Sequence, residues 1–545
     1  MPRPTRSAIA PTAALLAVLV VGAGTTPAEE AAIEADLVLV GGSVHDGSGA
    51  PARKGNVAIR GDRIVAVGDF AAPAGAEAID CSGLVVAPGF IDLHNHSDLG
   101  GDKTDPESGE TVSTRPIFGD QTGRSVCYLT QGCTTIVTGN CGGGAVDVGD
   151  YYTRLDAAPP GVNVAHLVPQ GGVRGRVIGD TRRAPSPEEL DQMRQIVRDG
   201  MRAGAWGMST GLQYVPSAYA DTDEIAALAA VVAEFGGIYA SHIRDEGDTL
   251  VESVLEAIEI GRKSSAPVHV SHFKASKRRN WGKVRVAAAE IERARGEGLR
   301  VTADQYPYEA SSTSVSAMLL PDEEREGDWR QRLQDPEQAA RLRPVVQQAL
   351  EARGKILIAS YEPRPEWVGR TIREIAKAEN RQPIDTAMDL LRGGSASAVN
   401  FGMDPRDVRW VMTQPWVATA SDGGVKVDDG TKPHPRSYGT FPRKIGRFSI
   451  EEGVVPLEQA IHSATGLPAE ILGMADRGRL REGSVADVVA FDPDEFRDHA
   501  TYQAPFQEST GVRWVLVGGK VAIRDGQPAD LAAGRALRKT ATTAQ

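Results

Sequence analysis

The segment PGFIDLHNHSD, residues 88–98, places His94 and His96 two positions apart at the end of a short apolar run. Side chains on a strand alternate faces, so residues two apart point the same way and both imidazoles can reach one metal ion. Compatible groups recur at the ends of later apolar runs: Cys141 in TTIVTGNCGGG, His242 in GIYASHIRDEGD, His272 in PVHVSHFKAS and Asp422 in WVATASDGG. One thiolate, four imidazoles and one carboxylate could hold one or two divalent ions. Thiolate with imidazole selects zinc over magnesium or calcium. A catalytic zinc keeps a position open for water and lowers that water's pKa to about 7. Asp422 would take the water's proton and return it to a leaving group. Lys274 shares the parity of His272, and with Arg436 in KPHPRSYGTFPR it offers positive charge to a substrate carboxylate. Tyr306 and Tyr308 share the parity of Asp304 on VTADQYPY and could close the same site.

Each of these residues has a plainer use. A cysteine is often an ordinary buried side chain, and an aspartate before two glycines often caps a turn. Lysine and arginine are usually solvated, and tyrosines on strands often pack. The setting of Cys141, between Asn140 and three glycines, favours a place of close approach. His269 lies on the run of His272 with opposite parity and is assigned to packing. His45, His166, His462 and His499 lack strand-end company and read as structural or surface residues.

Eight apolar runs can position these groups, near 86–96, 134–140, 162–168, 205–212, 236–243, 266–273, 299–306 and 415–422. Helical patterns such as PSPEELDQMRQIVRDGMRAG and TDEIAALAAVVAEFG alternate with them. Eight βα units predict a (β/α)8 barrel, whose chemistry sits at the C-terminal ends of its strands. The long connection at about 309–414 predicts an inserted subdomain. Residues 36–87 and 480–530 read as short strands with turns, which predicts one small β-sandwich built from both chain ends around a barrel spanning 88–479. The alanine-rich tail, 531–545, is expected to fray.

The chain has 545 residues and a net charge of -12, which argues against a nucleic-acid backbone or an anionic membrane as the main partner. Arg3 and Arg6 precede an apolar run from Ala13 to Val21 and then small residues. This is the pattern of a secretory signal peptide over residues 1–28, predicting export to a periplasm or beyond and no membrane association after cleavage. Four cysteines are too few for a disulfide scaffold; in an exported chain Cys127 could pair with Cys133.

With these motifs in view, the chain resembles the amidohydrolase superfamily, specifically the N-acyl-D-amino-acid deacylase (D-aminoacylase) family. The resemblance spans about residues 36–526 and rests on GGSVHDGSGAPA, APGFIDLHNHSD, QGCTTIVTGNCG, GMSTGLQYVP, YASHIRDEGD, VSHFKAS, DQYPYEASST, ATASDGG, HPRSYGTFPR, SATGLPAEILGMADRG and GSVADVVAFDP. It implies a metal-dependent barrel with a small β-sandwich. It implies zinc held tightly by Cys141, His242 and His272, with a second, weaker position at His94 and His96, bridged by Cys141 and near Asp422. It implies Asp422 as catalytic base, and Lys274, Arg436 and Tyr306 as the seat of a substrate carboxylate. Three departures are visible: the segment between Asp98 and Gln131 is longer than in the simplest members, the loop from Asp422 to His434 is slightly extended, and one family histidine is replaced. The family's Gly-His-Gly segment after strand three corresponds here to Pro169, Gln170 and Gly171, which removes that histidine's contact.

The expected activity is hydrolysis of the amide bond of N-acyl-D-amino acids, small molecules with a free carboxylate. The alternatives are a related amidohydrolase acting on a cyclic amide, an isoaspartyl-type dipeptide or a D-peptide, and an inactive exported binder. Lys277, Arg278 and Arg279 after strand six would favour an acidic side chain, or else form a solvated basic loop.

Overall fold

The computed structural model describes residues 1–2, 33–104 and 111–540. Most of the predicted signal peptide, residues 3–28, lies outside the described residues. Among the described residues no helix is long and apolar enough to cross a membrane.

The eight barrel strands run Phe90–Asp92, Cys133–Thr138, Asn163–His166 continued by Val168–Pro169, Gly207–Gly211, Ile238–His242, Val268–Val270, Val301–Gln305 and Val417–Thr419. Neighbouring strands pair in parallel in that order. The ring closes between the last and first strands: Asp422 N–H donates to His94 O at 2.8 Å, and His96 N–H to Gly423 O at 2.7 Å. Asp92 ties the same seam from inside, accepting from the Ser421 backbone N–H at 2.7 Å and the Ser421 hydroxyl at 2.5 Å. Nearly every strand residue is buried because helices cover the outer face, which is why the runs are apolar throughout rather than alternating. The helices form as their sequences dictate. Pro187–Arg202 opens on a capping box between Ser186 and Glu189 and turns Met193, Val197 and Met201 inward.

The first predicted strand is in fact two. Val85–Pro88 joins a sheet made from the chain ends, and only Phe90–Asp92 enters the barrel. Gly89 sits between them, where a Cβ would lie 2.2 Å from Thr134 Cγ2, so the crossing needs glycine. The β domain is one connected nine-stranded sheet. Leu37–Val44, Arg53–Arg60, Arg63–Gly68, Glu77–Asp80 and Val85–Pro88 pair onward to Val488–Phe491, Val512–Val517, Lys520–Arg524 and Gln527–Pro528. Leu39, Ile59, Val86, Val488 and Leu516 share its core, so both chain ends are needed to bury it.

The inserted subdomain holds a three-stranded antiparallel sheet of Ser311–Ser314, Ala396–Phe401 and Lys355–Tyr361, covered by helices that include Val315–Leu319 and Pro336–Glu351. It has its own core around Leu342, Val346, Trp367 and Met388. Helix Pro405–Val411, predicted within the insertion, packs instead on the barrel core through Val408 and Val411.

The tail does not fray over residues 531–540. Ala533, Ala536 and Leu537 are buried, and Trp206 Nε1–H donates to Leu537 O at 2.7 Å. Residues 541–545 lie outside the described residues. The suggested Cys127–Cys133 pair is absent: all four cysteines are free, and Cys133 Sγ lies 3.3 Å from the carbonyls of Phe90 and Thr135.

Candidate metal centre and substrate cavity

The strand ends bring the predicted groups to one point. Cys141 Sγ lies 3.2 Å from His94 Nε2, 3.4 Å from His242 Nδ1 and 3.7 Å from His272 Nε2. His272 Nε2 and His242 Nδ1 are 2.8 Å apart. Asp422 Oδ1 is 3.1 Å from His96 Nε2 and 3.4 Å from His94 Nε2. Three triads, His94–Cys141–His272, His94–His96–Asp422 and His242–Glu246–His272, therefore offer ligand atoms to a single ion each; the first two share His94, and the first and third share His272.

The donor set suits zinc. A tetrahedron with bonds of roughly 2.0–2.3 Å has edges of about 3.3–3.8 Å, close to most of these separations. Burial pushes the Cys141 thiol up, but the positive charges of His94 and His242 outweigh it and hold the group well below its ordinary range. The thiolate is the ligand form. Asp422 behaves likewise: burial raises its carboxyl, while Arg436, His94 and His272 bring it well below the usual carboxylate range.

Backbone strain marks the site. Cys141, His272 and Asp422 adopt φ of 53°, 38° and 50°, three of eight such non-glycine residues among those described. Each such conformation costs about 1–3 kcal/mol and persists where the surroundings over-determine it. At Cys141 the cause is visible. The following loop lies against the fourth barrel strand so closely that a Cβ on Gly211 would sit 2.0 Å from Cys141 O, and Gly142 N–H donates to Ser209 Oγ at 3.0 Å. The close approach that the glycines permit is made by the protein's own backbone.

The left-handed turn at His272 also overturns the parity argument. The strand ends at Val270, so alternation no longer separates His269 from His272. Both instead meet Asp304, His269 Nε2 at 2.8 Å from Oδ2 and the His272 backbone N–H at 2.7 Å from Oδ1. His94 Nδ1 lies 3.4 Å from the same Oδ2. Burial raises the Asp304 carboxyl, and the charges of His94 and His269 reverse that and pull it far down.

A cavity of about 890 Å³ opens over the centre. Lys274, Tyr306 and Arg436 line it together, as predicted. Arg436 sits 4.9 Å and Lys274 Nζ 5.6 Å from the Tyr306 ring centre, and Arg436 also pairs with Asp422 Oδ2 at 2.6 Å. The Tyr306 hydroxyl is buried with no hydrogen-bond partner, so it is free to donate to a ligand. Tyr308, the other candidate, faces His434 and Arg443 instead.

Sequence reading missed Glu246. Its carboxylate accepts from Lys274 and stands 2.8 Å from His272 Nδ1, fixing both. Burial raises it, and Lys274 and His272 bring it below its usual range. It sits four residues after His242 on a loop, where no periodicity applies. Gln170, in place of the family histidine, is buried and bonded to Ser217 and Glu224 rather than lining the cavity. His166 is structural as expected, held by Thr138 and Ala145 at 2.8 Å each. Lys277 and Arg279 are tied to Asp248, and Arg278 lies over Trp281, so none of the three faces this cavity.

Residues 77–523 match the Amidohydrolase family. The chain is 35% identical over 531 residues to N-acyl-D-glutamate deacylase of Alcaligenes xylosoxydans xylosoxydans, covering 93% of this chain and 98% of that one. It is 34% identical over 529 residues to D-aminoacylase of the same organism, with the same coverage. The crystal structure of N-acyl-D-glutamate deacylase from Bordetella bronchiseptica, complexed with zinc and a phosphonate mimic of the tetrahedral intermediate, superposes with a TM-score of 0.79 at 35% identity. That match covers 93% of this chain and all of the other. With its closed eight-stranded barrel and its cluster of thiol, imidazoles and carboxylate, the chain belongs to the amidohydrolase family and, within it, to the N-acyl-D-amino-acid deacylases of D-aminoacylase type.

Proposed function

We propose that the protein is a zinc-dependent hydrolase that cleaves N-acyl-D-amino acids to a carboxylate and a free D-amino acid. The observation that supports this best is that one cavity holds the Cys141 cluster with Asp422 and, beside it, Lys274, Tyr306 and Arg436. The first group suits amide hydrolysis and the second suits carboxylate binding. Cys141, His242 and His272 would hold the tight ion, with His94 and His96 at a second, weaker position. Zinc, when bound, supplies a Lewis acid and an acidified water.

The chain's own residues do the rest. Lys274, Arg436 and the free Tyr306 hydroxyl would seat the α-carboxylate, fixing the amide next to Asp422. Asp422 Oδ1, on the imidazole side, would accept the water's proton and pass it to the amine nitrogen as the C–N bond breaks. Arg436 holds Oδ2 and so keeps Oδ1 aimed inward. Lys274 and Arg436 favour a substrate with a free carboxylate over a cyclic amide. Support for export is the Arg3/Arg6 and Ala13–Val21 pattern.

The test is free-amine release by zinc-loaded protein from matched N-acetyl-D- and N-acetyl-L-amino acids. Release from the D series alone is expected. Turnover of cyclic amides with silence towards both series would overturn the proposal.

A further inference from the structure

A second cleft of about 420 Å³ lies between the barrel mouth and the inserted subdomain. Gln213, Glu246, Ser311 and Thr313 line both this cleft and the catalytic cavity, so the two adjoin. Five cationic side chains line the cleft. Three have fixed carboxylate partners: Arg244 with Glu256 at 2.8 Å, and Lys277 and Arg279 with Asp248 at 2.8 and 2.6 Å.

Arg325 and Arg353, both from the insertion, do not. Neither has a carboxylate within 4.0 Å among the described residues. Arg325 donates to the carbonyls of Pro321 and Gln213, and Arg353 donates twice to Met318 O, at 2.9 and 2.6 Å. A guanidinium stays charged and carries five donors, so a carbonyl leaves much of its demand unmet. Burial pushes both groups' pKa down, the sign of a charge short of solvent.

The lining carboxylates are engaged elsewhere or stand apart. Asp245 accepts from the backbone of Gly247 and Thr249, and Glu246 from Lys274. Asp322 lies more than 4.0 Å from any cation among the described residues. Two guanidinium groups without a carboxylate partner match the demands of a carboxylate.

We propose that this cleft is a second anion subsite, and that the preferred substrates are N-acyl-D-amino acids bearing a second carboxylate, on the side chain or on the acyl arm. The proposal rests on the deacylase reading. Glu246 is the shared wall, and it holds Lys274, the seat of the α-carboxylate. A substrate anchored at Lys274 therefore extends its second carboxylate past Glu246 to Arg325 and Arg353. Lys277 and Arg279 share the single carboxylate of Asp248 and so add net positive charge to the same cleft.

The experiment compares kcat/KM of the zinc-loaded full chain for N-acetyl-D-glutamate, N-succinyl-D-leucine and N-acetyl-D-leucine. At least one diacid is expected to exceed N-acetyl-D-leucine by about tenfold or more, the scale of a charge-assisted hydrogen bond. Which diacid wins tells whether the second carboxylate sits on the side chain or the acyl arm. In Arg353→Gln and Arg325→Gln that advantage should shrink about tenfold in at least one variant, mainly through KM. Zinc content and thermal midpoint report whether each variant is folded, and Arg353→Lys should retain part of the preference even if Arg353→Gln does not fold. Equal or better turnover of N-acetyl-D-leucine, or a diacid preference untouched by the variants, would overturn the subsite and leave the deacylase reading standing. Silence with all three substrates would overturn both.

Discussion

The carboxylate of Asp304 accepts a hydrogen bond from the backbone N–H of His272 at 2.7 Å. The same side chain contacts His269 Nε2 at 2.8 Å and His94 Nδ1 at 3.4 Å. One buried group thus fixes the left-handed backbone that aims His272 and faces the far nitrogen of His94. Carboxylates behind metal-binding histidines set ring orientation, and their loss typically costs ten- to a hundredfold in metal affinity. Asp304→Asn is expected to weaken zinc binding by about that factor, measured by competition with a chromogenic chelator. An unchanged affinity would show that the ligand geometry is set elsewhere.

Cys141 is the atom on which His94, His242 and His272 converge. Cys141→Ala should leave the folded chain unable to retain stoichiometric zinc after gel filtration. Elemental analysis of the eluted protein decides it. A full zinc complement would place the tight site away from this thiol.

Asp422→Asn should keep zinc and lose about 10²–10⁴-fold in kcat, the range for removing a general acid–base. The amide can still face His96, but it cannot take the water's proton. Turnover near that of the parent would remove Asp422 from proton transfer.

Lys274 donates to Glu246 and to His272 O, and its Nζ lies 2.9 Å from His272 Nδ1, so it borders the metal centre from the cavity wall. Lys274→Met should raise KM about ten- to a hundredfold, with a smaller change in kcat. A loss confined to kcat would assign Lys274 to the chemical step instead of the substrate carboxylate.

Lys444 is buried, donates only to Met412 O at 2.9 Å, and has no carboxylate within 4.0 Å among the described residues. Burial pulls its pKa down from 10.5 to about 7. Between these values the unfolded chain binds a proton that the folded protein does not, so this group's contribution to stability rises with pH from about 7 to about 10.5. Below about 7 both states are protonated and the full cost of the buried charge is present. Lys444→Met should therefore stabilise the protein by about 1–3 kcal/mol near neutrality, with the gain shrinking as pH rises. Urea midpoints of both proteins at pH 6 and pH 9.5 test this. A constant difference would show that the lysine does not titrate between the states.

Sequence alone determined the barrel and most of its centre. Eight apolar runs of strand length, separated by amphipathic helices, leave few other ways to bury that surface. Polar residues at the ends of those runs must then gather at one rim, whatever their separation along the chain. His94, His96, Cys141, His242, His272 and Asp422 were legible for that reason, whereas the joint role of Lys274, Tyr306 and Arg436 came from the family resemblance, since Arg436 lies on the helix Arg436–Pro442 beyond the last strand. What lies between strand ends was not legible. Glu246 reaches His272 from a loop, and Asp304 joins His269 to His94 across the barrel interior. The division of strand one at Gly89 depends on Thr134, and the shared cleft at Arg325 and Arg353 depends on where the insertion docks. Periodicity fixes direction only while a strand continues. It fails at the left-handed turns of Cys141, His272 and Asp422, and beyond them only the packed structure decides which group meets which.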